Sequence, residues 1–210
     1  MVPLAIYIGM AALAVVLAFV RGRSPIATTA ALPVSPLVGQ ALSLVLGVVL
    51  AVVTISTTRY SVRHWGWARV LHSHLQPAVR SISEKNVVVL GALGGASEEL
   101  FFRGLLTVTL GLWLSSLVFG LLHQAPGRAR WIWAAWATVM GFVFGLIFLA
   151  TGSLLGSIVS HVAINVVNLR FVRDTDLEPP TPRLGGLLIA SNRKQEPNHD
   201  MVSETPRASR

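Results

Sequence analysis

The sequence predicts an all-α, polytopic transmembrane bundle of about six spans followed by a polar C-terminal tail. Three observations carry that prediction. Hydrophobic residues make up 53% of the 210-residue chain and charged residues only 12%, about half the charged share of an ordinary soluble domain. The charges are also unevenly placed. The 38 positions from Arg173 to Arg210 hold 12 of the 26, six of each sign, whereas the 172 before them hold eleven basic residues and three acids. Finally, apolar runs close to the ~20 residues that cross a bilayer recur along the chain.

Each element follows from the local pattern. Val2 to Val20 has neither a preceding basic stretch nor a small-residue cleavage site, so it reads as a retained first helix rather than a removed signal peptide. A loop from Ala27 to Pro36 leads to the second span, Leu37 to Ile55. Thr57 to Asn86 mixes Arg59, Arg63, Trp65, Trp67, Arg69 and Leu71, and Pro77 is expected to stop any helix. This pattern suits a basic amphipathic segment on the membrane surface or a plain polar loop. His64, His72 and His74 are expected at the interface. The third span runs from Val87 to about Leu106. The fourth, Thr109 to His123, is short and closely linked to the third, which predicts a tilted or partial crossing. Trp131 to Ala150 and Ser153 to Val172 complete the set, with Asn168 and Arg170 at the inner boundary. From Arg173 the tail is polar and expected to be disordered. The resulting division is 1–86 for the two N-terminal helices and basic loop, 87–172 for the helical core, and 173–210 for the tail.

The formal charge of +8 excludes little by itself, but its distribution does. The basic residues form no continuous patch and no nucleic-acid-binding signature, so no nucleic-acid partner is expected. Placing both termini in the cytoplasm puts 14 Lys and Arg on the inner side and only Arg21 and Arg23 outside, as the positive-inside rule requires. Those two arginines are the local exception. Trp131, Trp133 and Trp136 then fit an aromatic belt at the inner interface. The chain contains no Cys, which excludes disulfides, thiolate zinc and a thiol nucleophile.

Small residues recur at spacings of four, as in Gly91 and Gly95, Gly141 and Gly145, and Gly152 and Gly156. They read as faces where helix backbones approach closely. Ser97, in a Gly-Ala-Ser run, belongs to such a face rather than serving as a nucleophile.

Against this apolar background stand Glu98, Glu99, Arg103, His123 and His161, with Asn165 four residues beyond the last. Carboxylates in lipid are costly and mark functional sites by default. Glu99 and Arg103 are four apart and can pair on one helix face, while Glu98 is rotated by ~100°. Counting a rise of ~1.5 Å per residue from the span ends brings Glu98, His123, His161 and Asn165 to nearly one depth.

Glu98-Glu99-Leu-Phe-Phe-Arg103, Phe119-Gly-Leu-Leu-His123 and His161-Val-Ala-Ile-Asn165 resemble the EExxxR, FxxxH and HxxxN signature of the CPBP (Abi, type II CAAX prenyl endopeptidase) family of intramembrane proteases. The resemblance covers Val87 to Leu169 and leaves the first two spans and the tail outside. It implies an intramembrane endopeptidase acting on a peptide or membrane protein in the cell membrane. Glu98 would be the general base for a water that His123 helps to hold, His161 and Asn165 would supply oxyanion donors, and Glu99 and Arg103 would support them. Phe119 would pack around His123. A zinc ion on Glu98, His123 and His161 is the alternative, although HExxH is absent and the reading without a cofactor is preferred. A non-proteolytic scaffold or bacteriocin-immunity factor and a proton pathway are the competing functions. The clustering of polar groups at one depth disfavours the pathway.

Overall fold

The computed structural model describes residues 2–124 and 130–177. Of the expected tail, residues 178–210 lie outside that range, as does the loop holding Arg128. The described chain is all-helical apart from one isolated bridge between Ala27 and Ser153.

The helices are α1 (Val2–Val20), α2 (Pro36–His64), α3 (Gly66–Val79), α4 (Glu84–Glu99), a π-helical segment (Leu100–Thr107), α5 (Val108–Leu110), α6 (Leu112–Leu122), α7 (Arg130–Thr151) and α8 (Leu155–Asp174). α2, α7 and α8 are each long and apolar enough to cross a membrane, and α1 and α6 are shorter apolar helices. α6, with 11 residues, rises only ~16 Å and cannot span the ~30 Å of hydrocarbon. This is the partial crossing expected of the fourth segment. α2 begins where the Ser35 hydroxyl accepts from the Val38 N–H and Pro36 occupies the first turn, a standard helix start.

Three expectations need correction. The segment after the second span is helical almost throughout: α2 continues to His64, and α3 includes Pro77 two residues before its end. A proline there forfeits one hydrogen bond of a turn that is already closing, so it does not prevent the helix. His72 is not interfacial. It is buried, donates from Nε2 to the Thr175 carbonyl at 2.9 Å and meets the edge of Phe171, whereas His64 and His74 are exposed. The last helix also outruns its expected end at Val172. Arg173 binds Glu84, and the Thr175 carbonyl accepts from His72 and Gln76, so ordered chain extends past Asp174.

The outward surface is apolar. Phe19, Leu37, Val52 and Trp113 are among many large side chains left open, as a lipid-facing bundle requires and a water-facing one avoids. Inside, glycines let helices touch at their backbones. A side chain on Gly47 would strike the backbone of Gly156, and one on Gly156 would strike Ser43. The Ser43 hydroxyl meanwhile donates to the Ser153 carbonyl and accepts from the Gly156 N–H, each at 2.9 Å. Without a hydrophobic drive between helices in lipid, such contacts supply the packing energy.

Candidate active site

The site is assembled by the seam between α4 and α8. A Cβ on Gly95 would lie 2.9 Å from the Val162 nitrogen and 3.2 Å from the His161 carbonyl carbon, and one on Gly91 would lie 2.7 Å from Val166 Cγ2. The glycines at 91 and 95 therefore face the valines at 166 and 162, one turn against one turn. That register sets Glu98 and Glu99, just past Gly95, beside His161, just before Val162. Directly after Glu99 the helix widens into the π-helical segment, a feature that often marks functional positions.

Glu99 is completely buried and is held twice by one oxygen. Its Oε1 accepts from Arg103 Nη1 at 2.9 Å and from His161 Nδ1 at 2.7 Å. The Arg103 guanidinium, also buried, lies 4.3 Å from the centre of the Phe119 ring and 5.2 Å from that of Phe144, so aromatic faces help to stabilise a cation removed from water. Gly141 makes room for it. A Cβ there would lie 3.1 Å from Arg103 Nη2 and 3.0 Å from Phe119 Cδ1.

Glu98 faces the other way, as its rotation from Glu99 requires. Its Oε2 lies 3.5 Å from His123 Nε2 and 3.7 Å from His161 Nε2. Both imidazoles are oriented through their other nitrogen. His123, at the end of α6, donates from Nδ1 to the Phe119 carbonyl at 2.7 Å, which caps that helix. His161 donates from Nδ1 to Glu99 and stacks on Phe144 with ring centres 5.0 Å apart. The two Nε2 atoms are thereby aimed at one carboxylate oxygen, which is buried without a hydrogen-bond partner among the described residues. Exposure rises in order from Glu99 (0%) through His161 (7%) and Glu98 (13%) to His123 (24%), so the cluster opens on the His123 side.

Asn165 stands one turn further along α8 and partly buried. It is not bonded to Glu98, Glu99 or either imidazole. Phe119 packs on His123 with ring centres 4.2 Å apart, as expected, and also carries the Arg103 cation and the Phe102 edge. Ser97 is buried on α4.

Sequence reasoning overlooked Tyr7. Its phenol rests against Gly94, where a Cβ would lie 3.2 Å from the hydroxyl. Gly94 and Glu98 share a helix face, and helical side chains lean over the preceding turn, so Tyr7 and Glu98 converge. The only signal in the sequence was a single tyrosine in an otherwise apolar span.

Residues 85–167 match the family model for Rce1-like proteins, described as type II CAAX prenyl endopeptidase Rce1-like. This stretch is similar to Rce1-like proteins and makes up less than half of the chain. It contains every polar residue of the cluster and leaves α1, α2 and α3 outside. The chain is also 33% identical over 82 residues to the uncharacterized protein YpbD of Bacillus subtilis, covering 39% of this chain and 43% of that relative. The match thus spans less than half of the relative's length. No solved structure matches the chain. Together, the 85–167 match and the apolar helices point to a membrane protein that carries a stretch similar to the CAAX-protease family.

Proposed function

We propose that the protein is an intramembrane endopeptidase that hydrolyses a peptide bond of a membrane-associated protein or peptide, in the cell membrane with both termini cytoplasmic. The observation that carries this reading is the position of Glu98 Oε2 between two imidazole Nε2 atoms whose Nδ1 atoms are both anchored.

In the mechanism, Glu98 takes a proton from a water that His123 orients from the open side of the cluster. The water oxygen attacks the substrate carbonyl, and Glu98 returns the proton to the leaving amine. His161, supported at Nδ1 by the Glu99 carboxylate, directs its Nε2 at the oxyanion, to which Asn165 donates as well. One such donor is worth ~3–4 kcal/mol in other enzymes. Glu99 fixes the direction of the His161 ring, much as the buried carboxylate of a catalytic triad fixes its histidine, and Arg103 pairs with Glu99.

The zinc reading would place Glu98, His123 and His161 on one ion. Both histidines have the anchored Nδ1 typical of metal ligands. Among the described residues, however, no set of three such side chains is arranged to hold a metal ion.

The test is cleavage of a transmembrane peptide library by purified protein, read by mass spectrometry. Glu98→Gln and His123→Ala are each expected to slow cleavage by about 10²–10⁴-fold. Normal cleavage by Glu98→Gln would overturn the mechanism and favour the non-proteolytic scaffold. Stoichiometric zinc whose removal abolishes cleavage would replace the glutamate-activated water by a zinc-bound one.

A further inference from the structure

The cluster leaves two arginines unexplained, the same two that break the inside-outside charge pattern. Arg21 and Arg23 sit at the C-terminal end of α1. There the Gly22 N–H donates to the Phe19 carbonyl at 3.0 Å, the Arg23 N–H donates to the Ala18 carbonyl at 2.9 Å, and Gly22 has a φ of 61°. This is a Schellman turn. Only a residue without a Cβ takes that φ cheaply, so the turn rigidly fixes both arginines.

Elsewhere most of the described arginines are held by side-chain or carbonyl oxygens; the exceptions are Arg63, which is exposed, and Arg130, which lies over the Trp131 ring. Arg59 is held by Asn168 and the Val167 carbonyl, Arg80 by Asp176, Arg103 by Glu99, and Arg170 and Arg173 by Glu84. The described acids are Glu84, Glu98, Glu99, Asp174 and Asp176, and none of them pairs with Arg21 or Arg23. Instead the Arg21 guanidinium is tethered to the Thr109 hydroxyl at 2.8 Å, which in turn donates its proton to the Leu105 carbonyl at 2.7 Å and so positions the arginine.

Beside the two arginines lie two open cavities. One, of about 470 Å³, is lined by Arg21, Arg23, Val108 and Thr109. The other, of about 420 Å³, shares Arg23 and Val108 and adds the hydroxyls of Ser24, Thr28 and Thr29. Guanidinium and hydroxyl donors around a space with no side-chain carboxylate are the chemistry that receives a phosphate oxyanion.

Position identifies the carrier of that phosphate. α1 has 19 residues and rises ~28 Å, close to the ~30 Å of hydrocarbon in a bilayer. Phe19 and Val20, immediately before the arginines, are 85% and 73% exposed and mark the end of the lipid-facing surface. The arginines therefore stand at headgroup level. We propose that the Arg21–Arg23 turn, with Arg21 positioned by Thr109, binds the phosphate of an anionic membrane phospholipid at the end of the bundle opposite Glu84 and Arg170.

The full chain, purified in detergent, is offered phosphatidylglycerol, phosphatidylcholine or inorganic phosphate, and retained ligand is read by native mass spectrometry. Wild-type protein should retain phosphatidylglycerol over phosphatidylcholine. The double variant Arg21→Gln/Arg23→Gln should lose about tenfold or more of that retention, with an unchanged circular dichroism spectrum. Arg63→Gln/Arg80→Gln removes the same charge at the other end and should change retention by less than about twofold, as exposed charges outside the site do. Equal retention of the two lipids, or an equal loss in the control variant, overturns the site. Displacement of phosphatidylglycerol by inorganic phosphate at comparable concentration overturns the lipid as its carrier.

Discussion

Two carboxylate–arginine clusters lie at opposite ends of α4. At its C-terminal end, Glu99 is fully enclosed by Arg103 and His161. At its N-terminal end, Glu84 pairs with Arg170 and, at 2.6 Å, with Arg173, but more than half of the Glu84 side chain is exposed. The groups are alike and the surroundings are not. Water around Glu84 screens each pair, and such contacts contribute little. Around Glu99 nothing but protein compensates either charge, so each partner depends on the other. The exposed cluster ties the ends of two helices together, whereas the buried one holds a histidine at a set angle beside Glu98.

The largest effect should come from breaking the buried pair. Glu99→Leu or Arg103→Met alone leaves one charge stranded and should cost about 3–5 kcal/mol of stability in thermal unfolding. The double substitution should recover most of that loss yet remain inactive, because His161 loses its anchor at Nδ1. Recovery of cleavage by the double variant would show that Glu99 is merely structural. Next in size is the seam itself. Gly95→Val forces α4 away from the α8 backbone at Val162, with an expected cost of about 1–3 kcal/mol. Cleavage should fall further than the loss of stability explains, and unaltered turnover would show that the seam does not set the distance between Glu98 and His161.

Tyr7→Phe removes one hydroxyl beside Glu98 and should lower kcat by roughly tenfold or less, the scale of a single hydrogen bond, with KM and melting temperature unchanged. No change in kcat would leave Tyr7 as packing. The smallest effect belongs to the exposed cluster. Arg173 and Arg170 hold the Glu84 carboxyl below its ordinary value of 4.5. The pairs therefore add stability above that value and lose it as pH falls through the lower folded-state value. Glu84→Gln should shift the melting temperature slightly at neutral pH and remove this acid-side decline. A large shift would mean that the exposed cluster is less screened than its exposure implies.

The sequence by itself determined the membrane-spanning character, the polar residues of the core and the helix faces that bear them. Composition, run length and a spacing of four are local properties that survive in any packing, and Glu99 with Arg103 is such a pair. The glycines at 91 and 95 likewise announced a close helix contact. Their partner helix, and the register of Val162 and Val166 against them, did not appear in the spacing. Nor did the helix through Pro77 or the π-helical widening after Glu99, because both depend on neighbours that support an irregular backbone.

Only the tertiary structure decided which groups meet. It gave Glu99 to His161 as well as Arg103, set Glu98 between two Nε2 atoms, left Asn165 one turn away, and brought Tyr7 in from a helix outside the stretch similar to Rce1-like proteins. The physical reason is that a side chain's partner across a helix interface is selected by backbone approach. In lipid that approach is governed by where glycines allow contact, which is a property of two helices together and of neither sequence alone.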